Sequence, residues 1–366
     1  MTKYLKQFEL TTQYEEYINS NVALFPNVSV TNDDNKVHYN PIPNYLTFTA
    51  EQDNSAISLN SATNPDIKYS LNGGTWTQWD YSAITLNMGD TVRMKGNNSS
   101  GFSTSTSNYN QFKMTGKISA SGNIMSLLYE DDFEGKLTIP CNYCFYYIFY
   151  GCTSLTTAPE IPATTLTNDC YRCMFRDCEN LTTTPDLPSM KLADYCYAGM
   201  FQNCTSITIT PKLPATTLVA NCYYYMFRGC TNLTTAPNLP ATTLANGCYV
   251  GMFYGCTGLI NVPELPATTL AANCYYYMFR GCTNLKTAPN LSATTLANYC
   301  YYGMFYGCTK LNYIKMLATN ISATACLSNW VKGVASTGTF IKHPNMTSLS
   351  SGTSGIPRGW TVQNAA

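Results

Sequence analysis

The sequence predicts a mainly β fold with short helical turns, in which a repeat solenoid follows a small all-β domain. Two observations carry this. Cysteine, phenylalanine, methionine and leucine recur at a step of 26 residues through the second half of the chain. Ahead of them, short runs of alternating apolar and polar residues are separated by turn signals, the pattern of half-buried strands.

All 17 Cys lie between Cys141 and Cys326, and fifteen of them fall into two columns. The first runs Cys144, Cys170, Cys196, Cys222, Cys248, Cys274, Cys300 and Cys326; the second runs from Cys152 to Cys308. Phe149 to Phe305 and Met174 to Met304 keep the same step, with Ile148 before the Met column and Trp330 after it. Leu155, Leu181, Ile207, Leu233, Leu259, Leu285 and Leu311 form another column. Spacing this strict means like supersecondary units stacked in one direction.

Each unit reads in three parts. Asn221–Cys230 is apolar, aromatic and free of Pro, which suits a short helix or helical turn. Leu233–Pro237 suits a short strand, with its Pro at the strand end or on an edge. Leu239–Leu244 turns the chain back. One coil cannot bury its apolar side alone, so the core grows with coil number. Parallel strands about 4.8 Å apart would give seven coils a ladder roughly 30 Å long.

Met226-Phe227-x-x-Cys230-x-x-Leu233 and its equivalents at the 26-residue step resemble the BspA-like leucine-rich repeats, including the 26-residue repeat of bacterial surface proteins. The resemblance covers about residues 144–318. It departs after the strand, where Pro-x-Leu-Pro-Ala-Thr-Thr-Leu replaces the usual continuation. It implies a leucine-rich-repeat solenoid, surface display and adhesion, while fold alone does not fix a ligand.

Residues 1–42 form an N-terminal docking segment. Thr12–Glu15 fits a capping box leading a helix through Ile18, followed by a strand around Phe25–Val30, a turn at Asn32–Asn35 and a second strand at Lys36–Tyr39. Residues 43–116 form the all-β domain, with strands at Tyr45–Ala50, Ile67–Leu71 and Thr91–Lys95 and a hairpin turn at Asn72-Gly73-Gly74. Trp76 and Trp79 are expected on its core or strand faces, and its length suits a small immunoglobulin-like sandwich. Residues 117–366 are the solenoid with its caps. Residues 117–140 are expected to close one open end with a polar face, and Phe340–Trp360 reads as a Gly/Ser-rich closing segment with few strand signals. The tail and leader resemble proteins of gut Bacteroidetes bacteria and of the phages that infect them, where such leaders occur on virion fibres and decorations.

Charge is sparse and balanced, 21 basic against 21 acidic residues, so no electrostatic footprint points to nucleic acid or anionic membrane. No apolar run approaches the about 20 residues of a transmembrane helix, and Met1–Leu10 lacks the apolar core of a secretory leader. Catalysis has little to stand on: the two His, His38 and His343, lie outside the repeats. Glu130–Glu134 reads as a solvated acidic face, and Asp33-Asp34 lacks the spaced ligands of a calcium loop. The Cys columns have the wrong spacing for zinc knuckles, and Cys141-x-x-Cys144 and Cys170-x-x-Cys173 are isolated pairs. An odd number without a leader argues against a disulfide framework. The preferred reading is a buried, reduced column of small apolar side chains, in which Cys230→Ser would bury a hydroxyl with no partner. Neither metal nor cofactor is expected.

The Tyr column Tyr171, Tyr197, Tyr223, Tyr249, Tyr275, Tyr301 is expected to be half-buried packing with its hydroxyls in water. Two neighbouring columns vary together: Tyr225 and Tyr277 accompany Arg228 and Arg280, while Gly251 and Gly303 accompany Tyr254 and Tyr306. Three residues apart on a helical turn, such side chains share a face. A Tyr of one coil would overhang the Gly of the next. The predicted result is an exposed ridge of Tyr225, Arg228, Tyr254, Tyr277, Arg280 and Tyr306, serving as lateral glue or as a ligand surface.

Together these readings predict a non-enzymatic virion surface protein, a fibre or capsid decoration that attaches to host surface or glycan. Its expected partners are other virion proteins through residues 1–42, host-surface or mucosal glycan or protein, and further copies of itself in a homo-oligomer; neither nucleic acid nor membrane insertion is expected. The alternative is a bacterial cell-surface adhesin.

Overall fold

The computed structural model describes residues 28–33, 36–41 and 43–366. The chain divides into two units with the boundary after Tyr45. In the first, β1 (Val28–Asp33) and β2 (Lys36–Pro41) pair antiparallel, with Val30 opposite Tyr39. The helix expected from Thr12–Glu15 lies outside the described residues.

The second unit is mainly β with almost no helix. Its first strands are β3 (Leu46–Ala50), β4 (Ser55–Asn60), β5 (Lys68–Leu71), β6 (Thr77–Gln78), β7 (Ile84–Leu86), β8 (Thr91–Lys95), β9 (Gln111–Thr115) and β10 (Ile118–Ser121). They make two antiparallel sheets, ordered β10-β3-β8-β5-β6 and β7-β4-β9. Along β3 the alternating sequence becomes alternating burial, with Leu46, Phe48 and Ala50 inside. Phe48 of one sheet meets Phe112 of the other at 5.2 Å, and Trp79 stacks on Phe112 at 6.2 Å, so the two sheets share one core. Asn72 and Gly73 both take positive φ between β5 and β6, as a tight hairpin turn demands.

Residues 117–140 join the sheets to the repeats. Ile118–Ser121 is the edge strand of the larger sheet. The helix α1 (Ser126–Tyr129) is the one α-helix among the described residues, and Ser126 ties it to β8 and β3, its Oγ donating to Met94 O and accepting from Leu46 N. Glu130 and Asp131 pair with Lys68 and Lys95 at 2.6 and 2.7 Å. Much of the expected solvated acidic face is therefore spent on the sheet's cations.

The repeats are not helical where a helical turn is expected. Every fourth residue of the segment has positive φ, as at Asn221 (53°), Tyr225 (53°) and Gly229 (75°), which breaks an α-helix at each turn. What replaces it is a run of overlapping β-turns. Tyr224, Met226, Arg228 and Cys230 donate their amides three residues back, to Asn221, Tyr223, Tyr225 and Phe227. The alternate amides of Tyr223, Tyr225, Phe227 and Gly229 donate to Cys248, Val250, Met252 and Tyr254 of the following repeat, at 2.8–3.1 Å. Half of the amides close turns and half join repeats, so the backbone is satisfied without a continuous strand or helix.

The expected strand at Leu233–Pro237 contracts to single parallel bridges such as Thr235–Asn261, because the adjoining Pro ends the pairing. Where the Pro is missing, at the C-terminal end, full strands form. There β11 (Tyr313–Met316), β12 (Thr339–Lys342) and β13 (Thr361–Asn364) make a parallel three-stranded sheet. The segment Phe340–Trp360, with few strand signals, thus begins in one strand, β12, and β13 follows directly after it, because the partner strand, not its own composition, dictates the extended form.

Ring columns fill the core. Phe227, Phe253, Phe279 and Phe305 stack face to face at 5.6–5.8 Å. The Tyr column from Tyr171 to Tyr301 stacks at 5.7–6.1 Å and is wholly buried, not half-wet. The Tyr171 and Tyr197 hydroxyls have no hydrogen-bond partner among the described residues; stacking contact with both neighbouring rings outweighs the usual demand for a wet hydroxyl. Trp330 closes the Tyr column, lying 6.5 Å from Tyr301, and donates from Nε1 to Gly355 O. Among the described residues no helix is long and apolar enough to cross a membrane.

Candidate functional site

The six ridge residues come together, though by a different route from a shared helical face. Tyr225 and Arg228 bracket one β-turn, whose closing bond runs from Arg228 N to Tyr225 O at 3.1 Å. Contacts then cross from repeat to repeat. The Arg228 guanidinium carbon lies 4.9 Å from the rings of both Tyr225 and Tyr254. That of Arg280 lies 5.2 Å from Tyr254, 4.6 Å from Tyr277 and 4.5 Å from Tyr306. Each guanidinium is flanked by rings of its own and adjoining repeats, a cation–π arrangement that strengthens as water is withdrawn.

The steric account of the alternation holds. A Cβ added at Gly251 would overlap the Tyr225 ring, and one at Gly303 the Tyr277 ring. The overhang runs one way: Tyr225 covers Gly251 of the following repeat, while Tyr277 covers Gly303. Both glycines have φ of 54°, as Tyr225 (53°) and Tyr277 (56°) do in the same column, so the overhanging ring and not the backbone selects glycine. The ridge is less open than expected. All six side chains are half-buried, because Tyr and Arg lie along the stack against one another instead of projecting from it. Burial pushes the Tyr225 phenol above its ordinary pKa.

Two features escape the reading of columns. Lys332 continues the ladder, its Nζ 5.3 Å from the Tyr306 ring. It lies one 26-residue step past Tyr306, beyond the last Cys of the second column, where the repeat no longer looks like one. Beside the ladder, Tyr276 and Tyr302 stack at 4.7 Å with their planes 6° apart. Their column is broken by Val250 and Ala198, which hides it.

The Cys columns are placed as expected. Sixteen of the 17 thiols are buried and Cys141 is half-buried. The second column carries a bond that spacing alone did not suggest: Cys178, Cys204, Cys230, Cys256, Cys282 and Cys308 each donate Sγ–H to a Phe carbonyl of the preceding repeat, at 3.0–3.1 Å. Among the described residues no cluster of His, Cys, Asp and Glu converges as a metal site would.

The arrangement sets cations and rings in a line along the repeats, with no carboxylate or His among its six residues. The class it defines is a leucine-rich-repeat protein with rows of rings and cations running from repeat to repeat. The BspA-type leucine-rich-repeat family matches residues 136–256 and 238–332 in six copies, more than half of the chain, and the chain belongs to that family. Neither the curated proteins nor the solved structures return a match.

Proposed function

We propose that this chain is a non-enzymatic surface protein whose repeats form one solenoid and attach to glycan or protein through the Tyr/Arg ridge. The observation that carries this reading is the ladder of Arg228, Tyr254, Arg280 and Tyr306, where cation and ring alternate over consecutive repeats. Aromatic and Arg side chains dominate recognition surfaces because they offer large contact area at small entropic cost. Membership of the BspA-type family favours display on a bacterial cell surface, and adhesion as the role. The narrower setting of a phage fibre or decoration rests on the flank resemblance, with residues 1–42 docking on other virion proteins. The two facing sheets support reading the first part of the second unit as an immunoglobulin-like spacer.

The test compares the full chain with the double variant Tyr225→Ala, Tyr277→Ala on glycan arrays and on host or bacterial cells. The variant is expected to melt like the parent and to lose binding. A variant that binds like the parent removes the ridge as the site.

A further inference from the structure

The formal charge of the chain sums to zero, yet its charges are segregated. Tyr195–Ala366 holds nine Lys and Arg against a single carboxylate side chain, Glu264; the other acidic residues lie upstream. Balance over the whole chain conceals a basic half.

Within that half, the column Arg228, Tyr254, Arg280, Tyr306, Lys332 places a cation on every second repeat. Rings cover the faces of the two guanidinium groups. Their N–H edges are free. Among the described residues, Arg228, Arg280 and Lys332 have no carboxylate within ion-pair range. The acid-bearing repeats upstream behave differently: Arg172 pairs with Asp169 at 2.9 Å, and Arg176 with Asp177 at 3.4 Å. One end of the array neutralises its guanidinium groups internally, while the other leaves them open in a row. A charge-assisted bond to a guanidinium edge needs an anionic oxygen, and flanking rings hold each fork in place before anything binds.

We propose that the Arg228–Lys332 ladder binds a linear acidic polysaccharide with one carboxylate or sulfate per disaccharide, laid along the direction of stacking. This rests on the reading of the ridge as a ligand surface and names what that surface takes. Cations two repeats apart lie about 10 Å from one another at the spacing of neighbouring strands. An acidic group on every disaccharide of an extended chain recurs at a comparable length. A nucleic-acid strand carries a charge about every 3.4 Å, far denser than the ladder. The ladder's own aromatic faces are covered by guanidinium groups, and the half-buried Tyr276 and Tyr302 beside it offer surface against which sugar rings can lie.

The test measures binding of the full chain to hyaluronan, which has one carboxylate per disaccharide. Neutral dextran, polygalacturonate with one carboxylate per sugar, and a thymidine homopolymer serve as comparisons. Hyaluronan is expected to bind tightest and to weaken with added salt, since exposed ionic contacts are screened. Arg228→Gln and Arg280→Gln should each lower affinity about tenfold with the melting curve unchanged, and Arg→Lys at both positions should restore much of it. Tighter binding of the thymidine homopolymer or of polygalacturonate overturns the proposal. So does self-association that the Gln variants abolish, which would make the ladder a contact between copies. Ridge-dependent binding of dextran alone defeats the acidic ligand while leaving the ligand surface standing. Binding of all four polymers untouched by the Gln variants and by Tyr225→Ala, Tyr277→Ala defeats both.

Discussion

Cys230 is wholly buried, and its Sγ–H donates to Phe201 O at 3.1 Å. A column chosen only for small apolar volume would accept valine more readily than serine. A column that also bonds to the preceding repeat reverses the order. Cys230→Ser keeps a donor for the carbonyl, contrary to the partnerless hydroxyl expected from sequence, and should cost about 1 kcal/mol. Cys230→Val removes the donor and overfills a closed site, costing about 1–3 kcal/mol. Urea unfolding midpoints of the two variants decide the matter, and valine milder than serine would refute the bonded column. The identity and burial of these cysteines were legible because a strict 26-residue step leaves one environment per column. The S–H bond was not, since it depends on which carbonyl the preceding β-turn turns inward. The ridge behaved likewise. The pairing of Tyr225 with Arg228 and the overhang of Gly251 could be read from covariation along the repeats, but half-burial and the reach of Lys332 depend on how side chains lie along the stack.

Among the elements, strand β9 explains how the array begins. Phe112 N donates to Ile148 O just as Phe149 N donates to Met174 O, and Cys152 Sγ–H donates to Phe112 O as Cys178 does to Phe149 O. Phe112 also stacks on Phe149 at 5.4 Å and so starts the Phe column. A strand of the antiparallel sheet therefore serves as the first rung. It lies 37 residues before Phe149 instead of 26, so periodicity could not reveal it. At the other end Trp330, in the Met column, covers Tyr301 and Phe305 together. Trp330→Ala should cost about 3–5 kcal/mol, and the loss should be local, because each repeat contacts only its neighbours. Hydrogen exchange is expected to accelerate in the amides from Cys300 to Lys332 while those from Cys196 to Phe253 stay protected. Equal acceleration throughout would mean that Trp330 does not act as an end cap.

For the whole molecule the buried columns set a limit at alkaline pH. Burial pushes the thiols of Cys170, Cys256 and Cys308 up to about 12, and raises the phenols of Tyr223 and Tyr249. An unfolded thiol titrates at about 8.5. The folded state holds the neutral form, so this stability is complete below about pH 8.5 and is lost as pH climbs toward about 12. Melting temperature should be level between about pH 6 and 8 and fall steeply above about pH 9. A chain that melts at the same temperature at about pH 10.5 would show that the thiols and phenols ionise without opening the fold. The alternation of Tyr225 over Gly251 and Tyr277 over Gly303 bears on how such a gene can lengthen or shorten. The backbone repeats every 26 residues, but the surface repeats every 52, from Arg228 to Arg280. Losing the unit of Gly251 by recombination would bring Tyr277 beneath Tyr225, where only a glycine fits, and place two guanidinium groups side by side. Losing two in succession restores every contact. From Tyr225 to Tyr306 the heritable word is a pair of repeats, and that stretch grows or shrinks most safely by twos.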